Sequence, residues 1–355
     1  MLTNIKAVDF TPIDPLCQTL IDNATGKFEG RSSLATMYTN VAGNFDNMGL
    51  SVGILQWNYG SGSLQPLLRL YISRYGAEKM DAYFDKLGKI SPTATMGTAA
   101  AITESKKWQD GITVKEAWRT AWKNLLGSQE FTDIQNEKIN TVWSKTLTVT
   151  QSWSLSSIRA KAFFLDIVTQ NGSMSSVTRA LVEEKLQNKD YLPHIISNTV
   201  ESIYSRIQVG SARLNGDTDF LGVNTLGLPH VSVPSQAKLN AIAGVYYKNN
   251  HLYFDGRVTK KELQQVLDIL ADAVAPQIKG LFEKTPRAVN YALWDLQAIE
   301  TDGEKSLLFG AAYERAQLAN ATWWLDVFNR KGTIAAGTGR VHTELYDFNK
   351  SLFIG

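Results

Sequence analysis

Cysteine is almost absent. The chain has 355 residues and one thiol, Cys17. That excludes an intrachain disulfide framework and any thiolate zinc cluster. Histidine is scarce too. The four histidines are scattered and form no His-Glu-x-x-His pair, so no zinc-hydrolase signature exists. Net charge is only +2 and the basic residues form no runs, which speaks against nucleic acid as a partner. No apolar run approaches the length of a membrane span. Lys6, Asp9, Pro12, Asp14 and Pro15 interrupt the first twenty residues, so no secretory signal peptide can be drawn through them. The expectation is synthesis in the cytoplasm without such a leader. Internal repeats and low-complexity tracts are also missing.

What is present is an ordinary globular composition, 44% hydrophobic and 20% charged, rich enough in apolar residues for one large or two smaller cores. Most of it carries helical periodicity. Asp14-Pro15 reads as a cap followed by a first-turn proline, with Cys17 on the buried face of the helix. Apolar residues recur at three and four from Leu64 to Tyr75. Similar patterns run from Met80 to Leu87, Val114 to Leu126, Phe131 to Trp143 and Ser157 to Thr169. Two more helices are expected between 174 and 208. Thr259-Lys-Lys-Glu262 is a capping box that opens a helix to Val274. Thr285-Pro286 opens another, and 305–329 is helical. The Gly- and Pro-bearing stretch 210–234 reads as a loop, and so does the Gly-rich tail from Arg330 to His342. The fold class expected is mainly α, of α+β type, in three parts: a core at 1–209, an insertion or accessory lobe at 210–285, and C-terminal helices with the tail at 286–355.

One stretch breaks the helical pattern. Asn44-Phe-Asp-Asn-Met-Gly-Leu-Ser-Val-Gly-Ile-Leu-Gln-Trp-Asn58 is dense in turn formers, amides and hydroxyls, and Gly60-Ser-Gly-Ser63 follows it. Residues 37–58 are expected to form two or three short strands joined by tight turns. Glu29 precedes Asp46 by seventeen positions. Two carboxylates on separate elements suit glycoside hydrolysis, in which one donates a proton and the other activates water. Glu29 follows Phe28, and an apolar neighbour would raise its pKa. Asp46 lies among amides, which favour its ionised form.

Other motifs resolve to ordinary roles. Gly337-Thr-Gly339 lacks the third glycine of a dinucleotide fingerprint, and His342 beyond it is expected to be a structural histidine. His251 to Glu262 lacks the acids at the first and third positions of a calcium loop, and the capping box already accounts for Glu262. No metal and no organic cofactor is expected.

The Glu-x16-Asp spacing, with Asp46-Asn-Met-Gly-Leu-Ser-Val-Gly-Ile54 after it, resembles the active-site segment of family 46 chitosanases within the lysozyme-like superfamily. In those enzymes the segment reads Asp-Gly-Arg-Gly-Tyr-Thr-Gly-Gly-Ile, followed by a Gly-rich turn. Gly53-Ile-Leu-Gln-Trp-Asn58 is similar to a segment of bacterial cell-wall hydrolases of the same superfamily. The stretches Phe163–Gly172 and Arg330–His342 look like further segments of such proteins. The resemblance implies a lysozyme-like, two-lobed helical domain with a small β element at its active site. It implies Glu29 as general acid, Asp46 as general base and Ser51 as the hydroxyl that holds the attacking water. Gln56, Trp57, Asn58 and Tyr59 would bind substrate, with Asn171 on the far wall.

One departure bears on the substrate. The chitosanases carry an acid directly after the Gly-x-Gly turn, where this chain has Ser63. A near-neutral chain suits peptidoglycan better than polycationic chitosan. The function expected is therefore cleavage of β-1,4 bonds in peptidoglycan glycan strands, muramidase-like and inverting. Such a protein would reach the cell wall by phage lysis or contact-dependent secretion, and a delivery or immunity protein is a further candidate partner. Two alternatives stay open: a chitosanase, and a non-catalytic glycan-binding or structural component of a phage or secretion apparatus.

Overall fold

Asp14 caps the first helix as its type dictates. Its Oδ1 accepts from the backbone N–H of Leu16 at 2.8 Å and of Cys17 at 3.2 Å, and Pro15 occupies the first turn of α1 (Pro15–Leu20). Cys17 is fully buried there. Burial, with the nearby Asp14 charge, pushes its thiol up to about 12, so it acts as a small core residue. The computed structural model describes residues 12–25, 28, 34–44, 47–187, 233–248, 251–254, 258–274, 299, 301–319, 321–341 and 344–353. Glu29, Asp46 and His342 lie outside them, as do most of the stretch 210–234 and the helix expected after Thr285.

The chain is mainly helical with small antiparallel sheets. It divides into two compact units, Met1–Leu147 and Thr148–Gly355. The expected core boundary near 210 lies outside the described residues.

In the first unit a short helix α2 (Leu34–Tyr38) leads into three strands: β1 (Val41–Ala42), β2 (Ser51–Val52) and β3 (Trp57–Asn58). They form one antiparallel sheet in the order β1-β2-β3, as expected for 37–58. Helix α3 (Leu64–Tyr75) buries Leu64, Leu67, Leu68 and Tyr71, and it stops at Gly76, whose φ of 88° a side chain would disfavour. The helix expected from Met80 is a short α4 (Ala77–Asp81) extended by one 3-10 turn. The Asp81 carboxylate ends it, accepting from the backbone of Ile90 and Ser91 and from the Ser91 hydroxyl.

Two elements here escape the sequence reading. One is α5 (Thr98–Lys106). The other is a hairpin of β4 (Gln109–Asp110) and β5 (Thr113–Val114), which turns at Gly111 with φ 63° and packs beside β1. Helix α6 (Glu116–Leu126) buries Ala121, Trp122, Leu125 and Leu126. Trp118 is only half-buried and stacks on Trp108, with centroids 4.7 Å apart. Helix α7 (Gln129–Ser152) runs well beyond its expected end at Trp143, and the boundary between the units falls inside it.

The second unit starts with α8 (Ile158–Asn171). Ser157 caps it by accepting from Ala160 N–H at 2.9 Å, and Gly172 closes it in the left-handed conformation. Helix α9 (Arg179–Gln187) follows. Helix α10 (Val233–Asn240) leads to the hairpin of β6 (Val245–Lys248) and β7 (His251–Phe254), and then to α11 (Lys260–Val274). The capping box is present: Thr259 N–H donates to Glu262 Oε2 at 2.9 Å. Helices α12 (Gly303–Gln317) and α13 (Ala321–Ala336) pack together through Phe309, Tyr313, Trp324 and Phe328. Strands β8 (Thr338–Val341) and β9 (Glu344–Asp347) pair after them, and a last turn, α14 (Phe348–Ser351), follows.

The tail thus corrects the sequence reading. Arg330 to Ala336 is the end of a helix, and Thr338 to Val341 is a strand, where a Gly-rich loop was expected. The helix runs on through Gly332, although glycine inside a helix costs about 1 kcal/mol against alanine. Outside 37–58, the described residues also form three further two-stranded hairpins.

Candidate functional site

The stretch singled out in the sequence is a folded platform in the first unit. Ser51 pairs with Ala42 on one side and with Asn58 on the other, and Val52 pairs with Val41 and Trp57. The turn from Gly53 to Gln56 joins β2 to β3. Gln56 N–H donates to Gly53 O at 3.1 Å, and its side-chain Nε2 donates to the same oxygen at 2.8 Å. Gly53 needs its missing side chain. Its φ is 76°, and a Cβ would collide with Gln135 Oε1 and lie 2.9 Å from the Trp57 ring.

The Gly-rich turn after the sheet is held by hydroxyls. Asn58 N–H donates to Ser63 Oγ at 2.9 Å, Ser61 N–H donates to Asn58 Oδ1 at 2.8 Å, and Ser61 Oγ donates to Ser63 Oγ at 2.8 Å. Ser63 therefore folds this turn.

The loop from Asn44 to Gly49, which spans the position of Asp46, is tied at both ends. Asn44 N–H donates to Gln109 Oε1 at 2.7 Å, and Asn44 Oδ1 accepts from Gly49 N–H at 2.7 Å. Gly60 N–H closes the other side onto Met48 O at 2.8 Å. Gln109 in turn donates from Nε2 to Ser105 O at 3.0 Å and is 6% exposed.

The expected site residues are placed as follows. Ser51 is buried at 3% exposure in the middle strand. Gln56 and Asn58 are half-buried at the two ends of the second hairpin. Trp57 is buried at 7% and packs under Gly53. Tyr59 has no exposure, and its hydroxyl shares a 2.8 Å hydrogen bond with Thr93. Burial pushes its phenol well above the ordinary range. A side chain so placed packs in the core of the first unit. Asn171 is exposed at the end of α8 in the second unit, where Gly172 forms the C-cap. Phe28 is buried at 3%.

Two glutamines that matter here were not singled out in the sequence. Gln135, fully buried on α7, accepts from Ile54 N–H at 3.2 Å and donates to Tyr38 O at 3.3 Å and Leu126 O at 3.4 Å. It clamps the β2–β3 hairpin to the helix. A signal existed: Gln135 sits between Phe131 and Ile139 at helical spacing, a polar residue on a stripe that is otherwise apolar. Gln109 left no such trace.

The second unit holds a buried charge cluster. Asp166 on α8 is fully buried. Its Oδ1 accepts from Arg330 Nε at 2.9 Å and Nη2 at 2.6 Å, and its Oδ2 accepts from Lys331 Nζ at 3.2 Å. Lys331 also donates to Gln170 Oε1 at 2.8 Å. Burial works to raise the Asp166 carboxyl, but Arg330 first and then Lys331 outweigh it and hold it below the ordinary range. Burial pulls Lys331 down to about 8, against the attraction of Asp166. Asp166 is the one acid in the buried run from Ala162 to Val168, a local sign that a partner was needed.

Among the described residues no group of His, Cys, Asp and Glu could hold a metal ion, and no helix is long and apolar enough to cross a membrane. No known protein family, curated protein or solved structure matches this chain.

Proposed function

We propose that the chain is a lysozyme-like, two-lobed glycoside hydrolase that cleaves β-1,4 bonds in peptidoglycan glycan strands. Glu29 protonates the glycosidic oxygen. Asp46, aided by Ser51, activates water on the opposite face of the ring, so the product is inverted. The observation that supports this reading is the pair of hydrogen bonds that hold Asn44 and Gly49, the residues flanking Asp46 in the sequence. The strand bearing Ser51 begins two residues after Gly49. A base must be held in place to be useful, and flanking residues that are themselves fixed are suited to hold one.

Ser63 favours peptidoglycan over chitosan. It stands where the chitosanases carry an acid, and its hydroxyl is engaged with Asn58 N–H in the turn. That leaves no carboxylate at this position to pair with an ammonium group. In this reading the protein acts on the cell wall, delivered by a phage or a contact-dependent secretion machine.

The test is release of soluble sugar fragments from purified peptidoglycan, with chitosan in parallel. Wild type should release fragments from peptidoglycan, and a folded Glu29→Gln should lose that activity by about 100-fold or more, the usual worth of a general acid. Release that survives the substitution would remove Glu29 from the mechanism. Turnover of chitosan alone would make the protein a chitosanase. Retention on cell walls with no release from either polymer would make it a binding component.

A further inference from the structure

The second unit holds a groove of about 560 Å³, a volume typical of sites for small ligands. Helix α10 and the residues after it form one wall, where Ala241, Ile242 and Ala243 present apolar surface and Lys238 a charge. Helix α11 forms the other, with Ile269 as its apolar part and Glu262 and Asp268 as its acids. Leu263 and Val266 take the buried side of α11. The charges of the groove are left apart. Lys238 makes no ion pair among the described residues. Asp268 Oδ1 accepts from Gln264 Nε2 at 2.8 Å, which leaves Oδ2 without a partner among them. Glu262 is committed to its capping box, where Oε2 accepts from Thr259 N–H at 2.9 Å.

We propose that this groove binds a short peptide that carries a carboxylate and an ammonium group on either side of small apolar side chains. The carboxylate meets Lys238, the ammonium meets Asp268, and the methyl groups lie along Ala241, Ile242 and Ile269. Charge complementarity fixes which way the peptide runs, because reversing it would set like charges together. Lys238 and Asp268 are exposed, so each contact is worth little alone and the apolar strip supplies the rest of the affinity. In the polymer of the hydrolase reading such peptides are the stems, which hold alanines, a diamino acid and free carboxylates. That identification rests on the hydrolase reading, and the chemistry of the groove does not.

The probe is the soluble stem tetrapeptide L-alanyl-γ-D-glutamyl-L-lysyl-D-alanine, titrated into the full chain at low salt by isothermal calorimetry. Wild type should bind it at one site. Lys238→Met and Asp268→Asn, both at exposed positions, should keep the wild-type circular dichroism spectrum and weaken binding by about 2- to 5-fold each, the range of an exposed ion pair. Acetylating the lysine amine of the probe removes the same contact from the ligand's side. It should weaken binding to wild type by a similar factor and have no further effect on Asp268→Asn.

Failure of wild type to bind the tetrapeptide would overturn the proposal, and so would wild-type affinity in folded Lys238→Met and Asp268→Asn. A loss on acetylation that persists undiminished in Asp268→Asn would place the ammonium elsewhere and overturn it too. If a variant does not fold, the acetylated probe against wild type decides, and unchanged affinity is the overturning result. A dimer that forms with rising concentration in sedimentation and is weakened by Asp268→Asn would give the groove to a second copy of the chain instead. The hydrolase reading fails separately: sugar release without peptide binding removes only this site, and peptide binding without sugar release removes only the hydrolysis.

Discussion

Arg330 presents two donors, Nε at 2.9 Å and Nη2 at 2.6 Å, to a single oxygen of Asp166, with the arginine side chain 6% exposed and the aspartate fully buried. Lys331 takes the other oxygen. Two cations on one carboxylate, away from water, make the cluster asymmetric. The carboxylate is shared between the two cations.

That asymmetry sets the cost of substitution. Asp166→Ala removes the buried carboxylate that Arg330 and Lys331 share and should destabilise the second unit by about 3–5 kcal/mol. Lys331→Met leaves Asp166 paired with Arg330 and replaces a desolvated ammonium by an apolar chain of similar length. It should cost less than about 2 kcal/mol. Urea titrations of the two variants should separate them clearly, and equal costs would show that the pairing is not what holds α8 to α13.

The same cluster makes stability depend on pH in one direction. The Asp166 carboxyl is held below its ordinary value in the folded chain. Its contribution is therefore complete above the unfolded carboxylate value, about 4, and is lost as pH falls through the folded value. Lys331 is pulled down to about 8. Between there and the unfolded lysine value, about 10.4, the unfolded chain binds more protons, so this group alone makes stability rise with pH. Wild-type denaturation midpoints should show this alkaline rise together with the acid loss, and those of Lys331→Met should lack the rise and keep the acid loss.

Gly53→Ala should fold poorly. A left-handed conformation costs a side chain about 1–2 kcal/mol, and the new methyl would meet Gln135 and the Trp57 ring. Overpacking adds about 1–3 kcal/mol. Thermal melts should show a loss of at least about 2 kcal/mol. A neutral result would mean that the β2–β3 turn can relax away from α7.

Tyr59→Phe separates the core role from the substrate role. The Thr93 hydroxyl keeps a second bond to Ile90 O at 2.7 Å, so only one partner is lost. The variant should cost about 1 kcal/mol of stability and leave KM for peptidoglycan fragments unchanged. A raised KM in a folded Tyr59→Phe would return the residue to the binding surface.

The elements legible in the sequence were those defined by local chemistry. Asp14-Pro15 capped a helix, Thr259–Glu262 formed its capping box, and the turn formers of 37–58 gave three short strands. Misreadings arose where a distant partner overrode the local signal. The hairpin at Gln109–Val114 has too few residues for alternation to show. The glycines after Arg330 spelled a loop, yet the positions were claimed by helix α13 because Asp166, 164 residues earlier, lies across from it.

The sequence by itself determined the helical class, the caps, the inert buried thiol and the position of the turn-rich stretch, because each follows from residues within a few positions of one another. Only the tertiary structure decided that Tyr59 is core, that Asp166 holds Arg330 and Lys331, and that Gln109 holds Asn44. A hydrogen bond between residues 65 apart depends on which surfaces the packed helices bring together. That choice is made by apolar burial summed over a whole unit, which carries no direction until the chain has folded.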